Sequence, residues 1–204
     1  MKAKYIYSHL NGEEFLKVHN PEILEEILSV IKEIDAEKCK TKVSKEKNRK
    51  GVVLYSPEDL NKEFKDKLNA LGWKEDRYTY YVCNDPEITK NIVNLPSEQQ
   101  KNFITSKGLT ALKSFNQTDF VKEKTAIEVQ FGKYSFVAFD IFVKHMGFFS
   151  ANKINVGIEI LPTKKLLQEM SSGPSYYERE IQHIIRQGRG NPAVPLIIIG
   201  IEQD

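Results

Sequence analysis

Gln117-Thr118-Asp119-Phe120-Val121-Lys122-Glu123-Lys124-Thr125-Ala126-Ile127-Glu128-Val129-Gln130-Phe131 reads as two strands around a charged turn. The strands run over Phe115–Val121 and Thr125–Phe131. On the second, the side-chain period of two puts Glu128 and Gln130 on one face and Ile127, Val129 and Phe131 on the other. The apolar face can pack on a helix, whereas two adjacent polar groups are costly to bury unless they bind something. A turn spanning Lys122–Thr125 sets Phe120 opposite Ile127 and Asp119 opposite Glu128. A turn one residue shorter would set Asp119 opposite Ile127, because a one-residue slip reverses every face. The pattern therefore favours convergence of Asp119, Glu128 and Gln130. Two carboxylates and an amide oxygen make a hard oxygen site suited to Mg²⁺, which keeps waters and accepts a phosphate oxygen. Such a metal acidifies a water and neutralises charge building on phosphorus. A surface hairpin with ordinary polar residues has the same spacing, so spacing alone leaves both readings open.

Strands alternating with helices extend outward from this hairpin. Pro21 to about Lys38 has Ile23, Leu24, Ile27, Leu28, Ile31 and Ile34 at helical steps, with Pro21 suited to the first turn. Ser56-Pro57-Glu58-Asp59 opens a helix carrying Leu60, Phe64, Leu68 and Leu71, and Gly72 stops it. Val52–Tyr55 is a short apolar run, Tyr78–Cys83 a strand, and Asp85–Leu95 and Pro96–Leu112 two further helices. Ser135–Phe149 is a helix apolar on almost every side, which demands burial in the core or against a second subunit. Ile154–Leu161 is a strand, Pro174 to about Arg186 a helix, and Val194–Ile201 a fully buried strand. The expected class is α/β, with a central mixed sheet flanked by helices in one domain over residues 1–204.

Composition narrows the options. The 204 residues are 40% hydrophobic and 28% charged, which suits one well-filled core rather than a disordered chain. Val194–Ile201, interrupted by Pro195 and Gly200, is far short of a membrane span, and the opening residues lack a secretory apolar core. Cys39 and Cys83 have no ligand or disulfide spacing, so a reducing, cytoplasmic setting is expected. Between Lys38 and Lys50 seven basic residues face one acid, a formal +6 in a chain of net charge +2. That segment, within a loop over 37–51, is either a mobile solvated loop or a track for phosphates.

Asp119-Phe120-x-Lys122, Ile127 to Phe131 and Tyr134-x-Phe136 closely resemble the BstYI/BglII-like type II restriction endonucleases. These are PD-(D/E)xK nucleases in which glutamine replaces the usual lysine. The resemblance extends over Tyr7–Gly12, Ile34–Glu37, Leu54–Pro57, Asn116–Lys122, Glu128–Ala138, Phe142–Met146, Met170–Gly173 and Arg186–Gly190, nearly the whole chain. It implies a restriction-endonuclease-like fold and a homodimer that binds duplex DNA and cuts 5′-RGATCY-3′ after the first purine. Carried over by position, Asp119, Glu128 and the main-chain carbonyl of Val129 serve Mg²⁺, and Glu128 and Gln130 orient the attacking water. Thr118 stands where the superfamily has proline, and Gln130, which can neither take a proton nor bring charge, puts a general base there in doubt. Glu26 is a candidate for the metal's outer shell.

A palindromic target calls for two-fold symmetry, each subunit reading a half-site in the major groove. Gly132–Ser135 and Ser171–Ser175 are the loops placed for that reading, with Lys133 and Ser172 as candidates. The BglII side of the family, which demands A at the outer position, looks to have asparagine where this chain has Lys133. Arg186 and Arg189 are further candidates for phosphate or guanine, or for complementing a helix end. The competing functions are a GATC-directed nicking or repair nuclease, and a DNA-binding protein of the same fold without catalysis.

Overall fold

The computed structural model describes residues 1–203. The chain order is β1 (Lys2–His9), α1 (Gly12–His19), α2 (Pro21–Glu33), β2 (Lys42–Val43), β3 (Val53–Leu54), α3 (Pro57–Ala70) and β4 (Lys74–Val82). Then come α4 (Pro86–Ile92), α5 (Ser97–Ser106), β5 (Leu112–Lys122), β6 (Thr125–Val129), α6 (Tyr134–Phe139) and α7 (His145–Ser150), with a π-helical turn at Asp140–Lys144 between α6 and α7. β7 (Val156–Pro162), α8 (Lys164–Gln168), α9 (Tyr177–Gln187) and β8 (Leu196–Glu202) complete it.

Glu123 and Lys124, both in the left-handed region with φ of 45° and 56°, close the β5–β6 hairpin. The register is Lys122 opposite Thr125, Val121 opposite Ala126 and Phe120 opposite Ile127, as the polarity pattern demands. β6, β7 and β8 run parallel, β1 and β5 flank them antiparallel, and β4 closes the sheet in the order β1-β8-β7-β6-β5-β4. The three parallel strands are the buried centre, and β8 is inaccessible at every position. Ile197, Ile199 and Ile201 join Ile127, Ile158 and Ile160 beneath α1, α2 and α3, while Leu196 and Ile198 pack with Val137, Ile141 and Ile184 on the other face. This is the two-sided burial that a continuous apolar run specifies.

Several local expectations change. The helix read over Pro96–Leu112 stops at Ser106 because Gly108 takes φ +74°, and Leu112 opens β5 instead. Residues 37–51 are not a free loop. Ala36–Cys39 forms a 3₁₀ turn, β2 pairs with β3, Tyr55 bridges to Met170, and Arg49 donates to the Gln168 carbonyl at 2.7 Å. The apolar helix is divided in its burial. Val137, Ile141, His145 and Phe148 face the sheet, whereas Phe136, Phe139, Val143 and Phe149 remain 37–49% exposed. Among the described residues no helix is long and apolar enough to cross a membrane.

Candidate active site

β5 is irregular where it matters. Between the pairs Lys74–Val121 and Asp76–Thr118, β4 advances two residues and β5 three, so β5 carries an extra residue within Thr118–Val121. Such a bulge breaks strict alternation and re-aims side chains. Continuing the hairpin register sets Asp119 across from Glu128, yet Thr118 also lies against the Glu128 carboxylate. Asp119 is exposed, Thr118 and Glu128 are buried, and the charge of Asp119 reaches Asp140. The site thus has a wet rim and a dry floor.

The floor is closed by the π turn. Lys144 Nζ lies 2.9 Å from Glu128 Oε1 and 2.7 Å from Asp140 Oδ1. Gln130 Nε2 donates to Asp140 Oδ2 at 2.8 Å, and Gln130 N donates to the Ile160 carbonyl. Glu128 and Gln130 are therefore linked through one Asp–Lys pair from the facing helix. One layer deeper, His145 Nε2 is 3.0 Å from Glu159 Oε1, and Glu159 pairs with Glu128 in the parallel ladder.

Burial dominates the electrostatics. It pushes the Glu128 carboxyl up to about 7, against the opposing pull of the Lys144 ammonium. Burial also raises Asp140 and, more strongly, Glu159, where the Asp140 and Glu128 charges add to it. Burial works against the charge of Lys144, but the two carboxylates outweigh it and hold the ammonium protonated. His145 is driven down to about 3 by burial and by Lys144, so its ring is neutral. Perturbed groups gathered at one place are a signature of functional sites, although structural networks show it too.

The remaining expected residues separate into those beside the cluster and those away from it. Val129 ends β6 beside Gln130, and its side chain packs against the large core. Lys133 is exposed just before α6, with Nζ 5.9 Å from the Phe136 ring. Ser172 Oγ donates to the Phe131 carbonyl at 3.0 Å, which holds the 171–175 loop beside the end of β6. Both loops lie at the carboxyl ends of the parallel strands, where open α/β sheets form their crevices. Glu26 lies elsewhere: it accepts from Trp73 Nε1 at 2.6 Å and from Lys122 Nζ at 2.8 and 2.9 Å, and Trp73 belongs to the core on the Ile127 face. Arg186 and Arg189 are exposed near the end of α9, with no side-chain hydrogen bond or ion pair among the described residues.

Asp140 and Lys144 were missed in the sequence reading. Their signal was an acid and a base four residues apart in an otherwise apolar helix, which on a buried face must pair. Among the described residues no group of three or more His, Cys, Asp or Glu could hold a metal ion. The donors expected from the sequence, Asp119, Glu128 and the Val129 carbonyl, are oxygens only. That set fits Mg²⁺, which uses one or two carboxylates and keeps waters, and does not fit a closed zinc site.

A search of curated protein sequences found no match. The chain is similar in structure to restriction endonuclease BglII complexed with a DNA 16-mer, at 21% identity and a TM-score of 0.67, over 98% of this chain and 78% of that one. It is also similar to free BglII, at 19% identity and a TM-score of 0.58, over 98% and 79% of the respective chains. At these identities the likeness shows the fold. A model of the family "Restriction endonuclease BglII/BglIII" matches residues 5–201, and the chain accordingly belongs to this family of site-specific DNA endonucleases.

Proposed function

We propose that the chain acts as one domain over residues 1–204 and as a homodimeric type II restriction endonuclease. It hydrolyses both strands of duplex DNA at 5′-RGATCY-3′ after the first purine, leaving GATC overhangs. The observation that carries this reading is the single cluster of Glu128, Gln130, Asp140 and Lys144, with Asp119 at its rim and the Lys133 and Ser172 loops beside it. Family membership implies a divalent metal, and the oxygen-only donors support magnesium. Asp119, Glu128 and the Val129 carbonyl would hold it, and a bound magnesium ion supplies charge neutralisation and acidifies water.

The chain's own residues do the positioning. Glu128, fixed from below by Lys144, presents its other oxygen to an attacking water. Gln130 is oriented by its bond to Asp140 and aligns that water without taking its proton. Lys133 donates to purine N7, an acceptor that A and G share, and so accepts either at the outer position. Ser172 contributes from the neighbouring loop, with Arg186 and Arg189 free to reach phosphate or guanine. The exposed row Phe136, Phe139 and Val143 supports a second copy of the chain as partner, since apolar residues grouped on one helix face mark interfaces. The unpaired Cys39 and Cys83 agree with a cytoplasmic setting.

Digestion of genomic DNA with and without EDTA, followed by fragment-end sequencing, tests the proposal. Double-strand ends at RGATCY that vanish with EDTA are expected. Nicks alone would favour a GATC-directed nicking enzyme, and gel-shift retention without cutting would favour a DNA-binding protein.

A further inference from the structure

Asp140, Lys144 and His145 interrupt the sheet-facing side of an otherwise apolar helix, and the first two belong to the π turn. Lys144 is 14% exposed, while the carboxylates it bridges are 1% and 2% exposed. Placing an ammonium and two carboxylates out of water is expensive, and such a group seldom stabilises more than packed hydrocarbon of the same size. A buried ion cluster of this kind therefore points to work other than stability. π turns inside α-helices also recur at functional sites. The residue after Lys144 is anchored, since His145 is held by Glu159, and the ammonium itself is held by Asp140 one turn earlier.

Phosphodiester hydrolysis adds negative charge around phosphorus and on the leaving oxygen, and catalysis needs fixed positive charge there. Asp119, Glu128 and Asp140 are acids, and Gln130 is neutral. Lys144 is the cation bonded to Glu128 and Asp140 among the described residues. We propose that Lys144 is a positioning residue for the hydrolysis, delivered from the helix rather than the strand, whose ammonium fixes Glu128 and supplies the positive charge at the floor of the site. The inference rests on the hydrolytic reading above. It assigns Asp140 the task of holding Lys144 and Gln130 in one arrangement.

Lys144→Met removes the charge at nearly constant length, and Lys144→Arg restores it. In single-turnover cleavage with saturating enzyme and Mg²⁺, Lys144→Met slows cutting by roughly 100-fold or more, the size of a lost preorganised charge. Lys144→Arg recovers at least about tenfold of that loss, and Mn²⁺ affinity of the DNA complex, read by electron paramagnetic resonance, stays within about threefold in both variants. Lys144→Ala is the second route, in which added methylammonium, but not tetramethylammonium, raises the rate. Cleavage by Lys144→Met within about threefold of the parent overturns the proposal, as does a loss that neither arginine nor methylammonium repairs. Mn²⁺ affinity falling in step with rate would make Lys144 part of ion binding instead. Tighter Mn²⁺ with an intact rate would make the ammonium a mere occupant of the ion's place. A parent enzyme that cuts no duplex DNA with Mg²⁺ refutes the hydrolytic reading itself, before any variant is made.

Discussion

Gly157→Ala probes the layer beneath the site. Gly157 lies in β7 between Ala126 and Leu196, and a methyl added there would sit 2.5 Å from His145 Nδ1, 2.6 Å from its Cγ and 2.8 Å from Leu196 Cδ2. All three are well inside van der Waals contact, and the ring has little room to retreat. His145 is 1% exposed and its other nitrogen is engaged by Glu159 at 3.0 Å. Overpacking costs about 1–3 kcal/mol, and displacing the ring adds about 1–3 kcal/mol for a buried hydrogen bond left unmade. A combined loss of about 2–6 kcal/mol lowers the melting temperature of a chain this size by about 4–24 °C. Urea unfolding followed by fluorescence of the lone, buried Trp73 gives the number directly. Cleavage should also fall, because Lys144 adjoins His145 in the chain. In Gly157→Ala/His145→Ala the overlap is gone, so the double mutant is more stable than the two separate losses predict, by about 1–3 kcal/mol. A Gly157→Ala variant within about 0.5 kcal/mol of the parent, the range of a surface change, would refute this packing argument.

Lys133→Asn should shift relative cutting toward AGATCT and away from GGATCC; unchanged relative rates on the two sites would remove Lys133 from recognition. Phe139→Asp should give a monomer by sedimentation velocity while stability stays within about 0.5 kcal/mol, because Phe139 is 44% exposed in the single chain. Unchanged mass would assign the dimer contact to another surface. The neutral His145 makes a pH prediction. The unfolded chain takes up a proton as pH falls through about 6.5, while the folded one resists until about 3, so the stability that this neutral ring confers is lost as pH falls through that window. Relative to His145→Gln, the parent should lose about 1.4 kcal/mol per pH unit there, read from urea midpoints. A difference that is flat with pH would show the histidine to be protonated or exposed.

The hairpin was legible because both faces of β6 carried consistent polarity, and only one turn length satisfied Asp119 and Phe120 together. The buried strand β8 was legible for a related reason, since a run of isoleucines fits no exposed element. β1 was not, because Lys2–His9 is half-exposed, pairs only with β8 at the far end of the chain, and has no clean alternation. The bulge at Thr118–Val121 leaves no local signature, as it is set by the partner strand β4. Asp140 and Lys144 were masked by the apolar residues around them, and the π turn that aims them is a property of the packed helix. The exposed half of that helix became visible only once its sheet-facing half was known.

In the proposed reaction, Asp119 and Glu128 meet at a magnesium-binding crevice beside bound DNA. Anomalous diffraction from crystals of the DNA complex soaked in Mn²⁺ tests it most directly. The expected peak lies about 2.0–2.4 Å from an Asp119 carboxylate oxygen and the Val129 carbonyl, with Glu128 at most one water away. A peak at other residues, or none at full DNA occupancy, would contradict the claim.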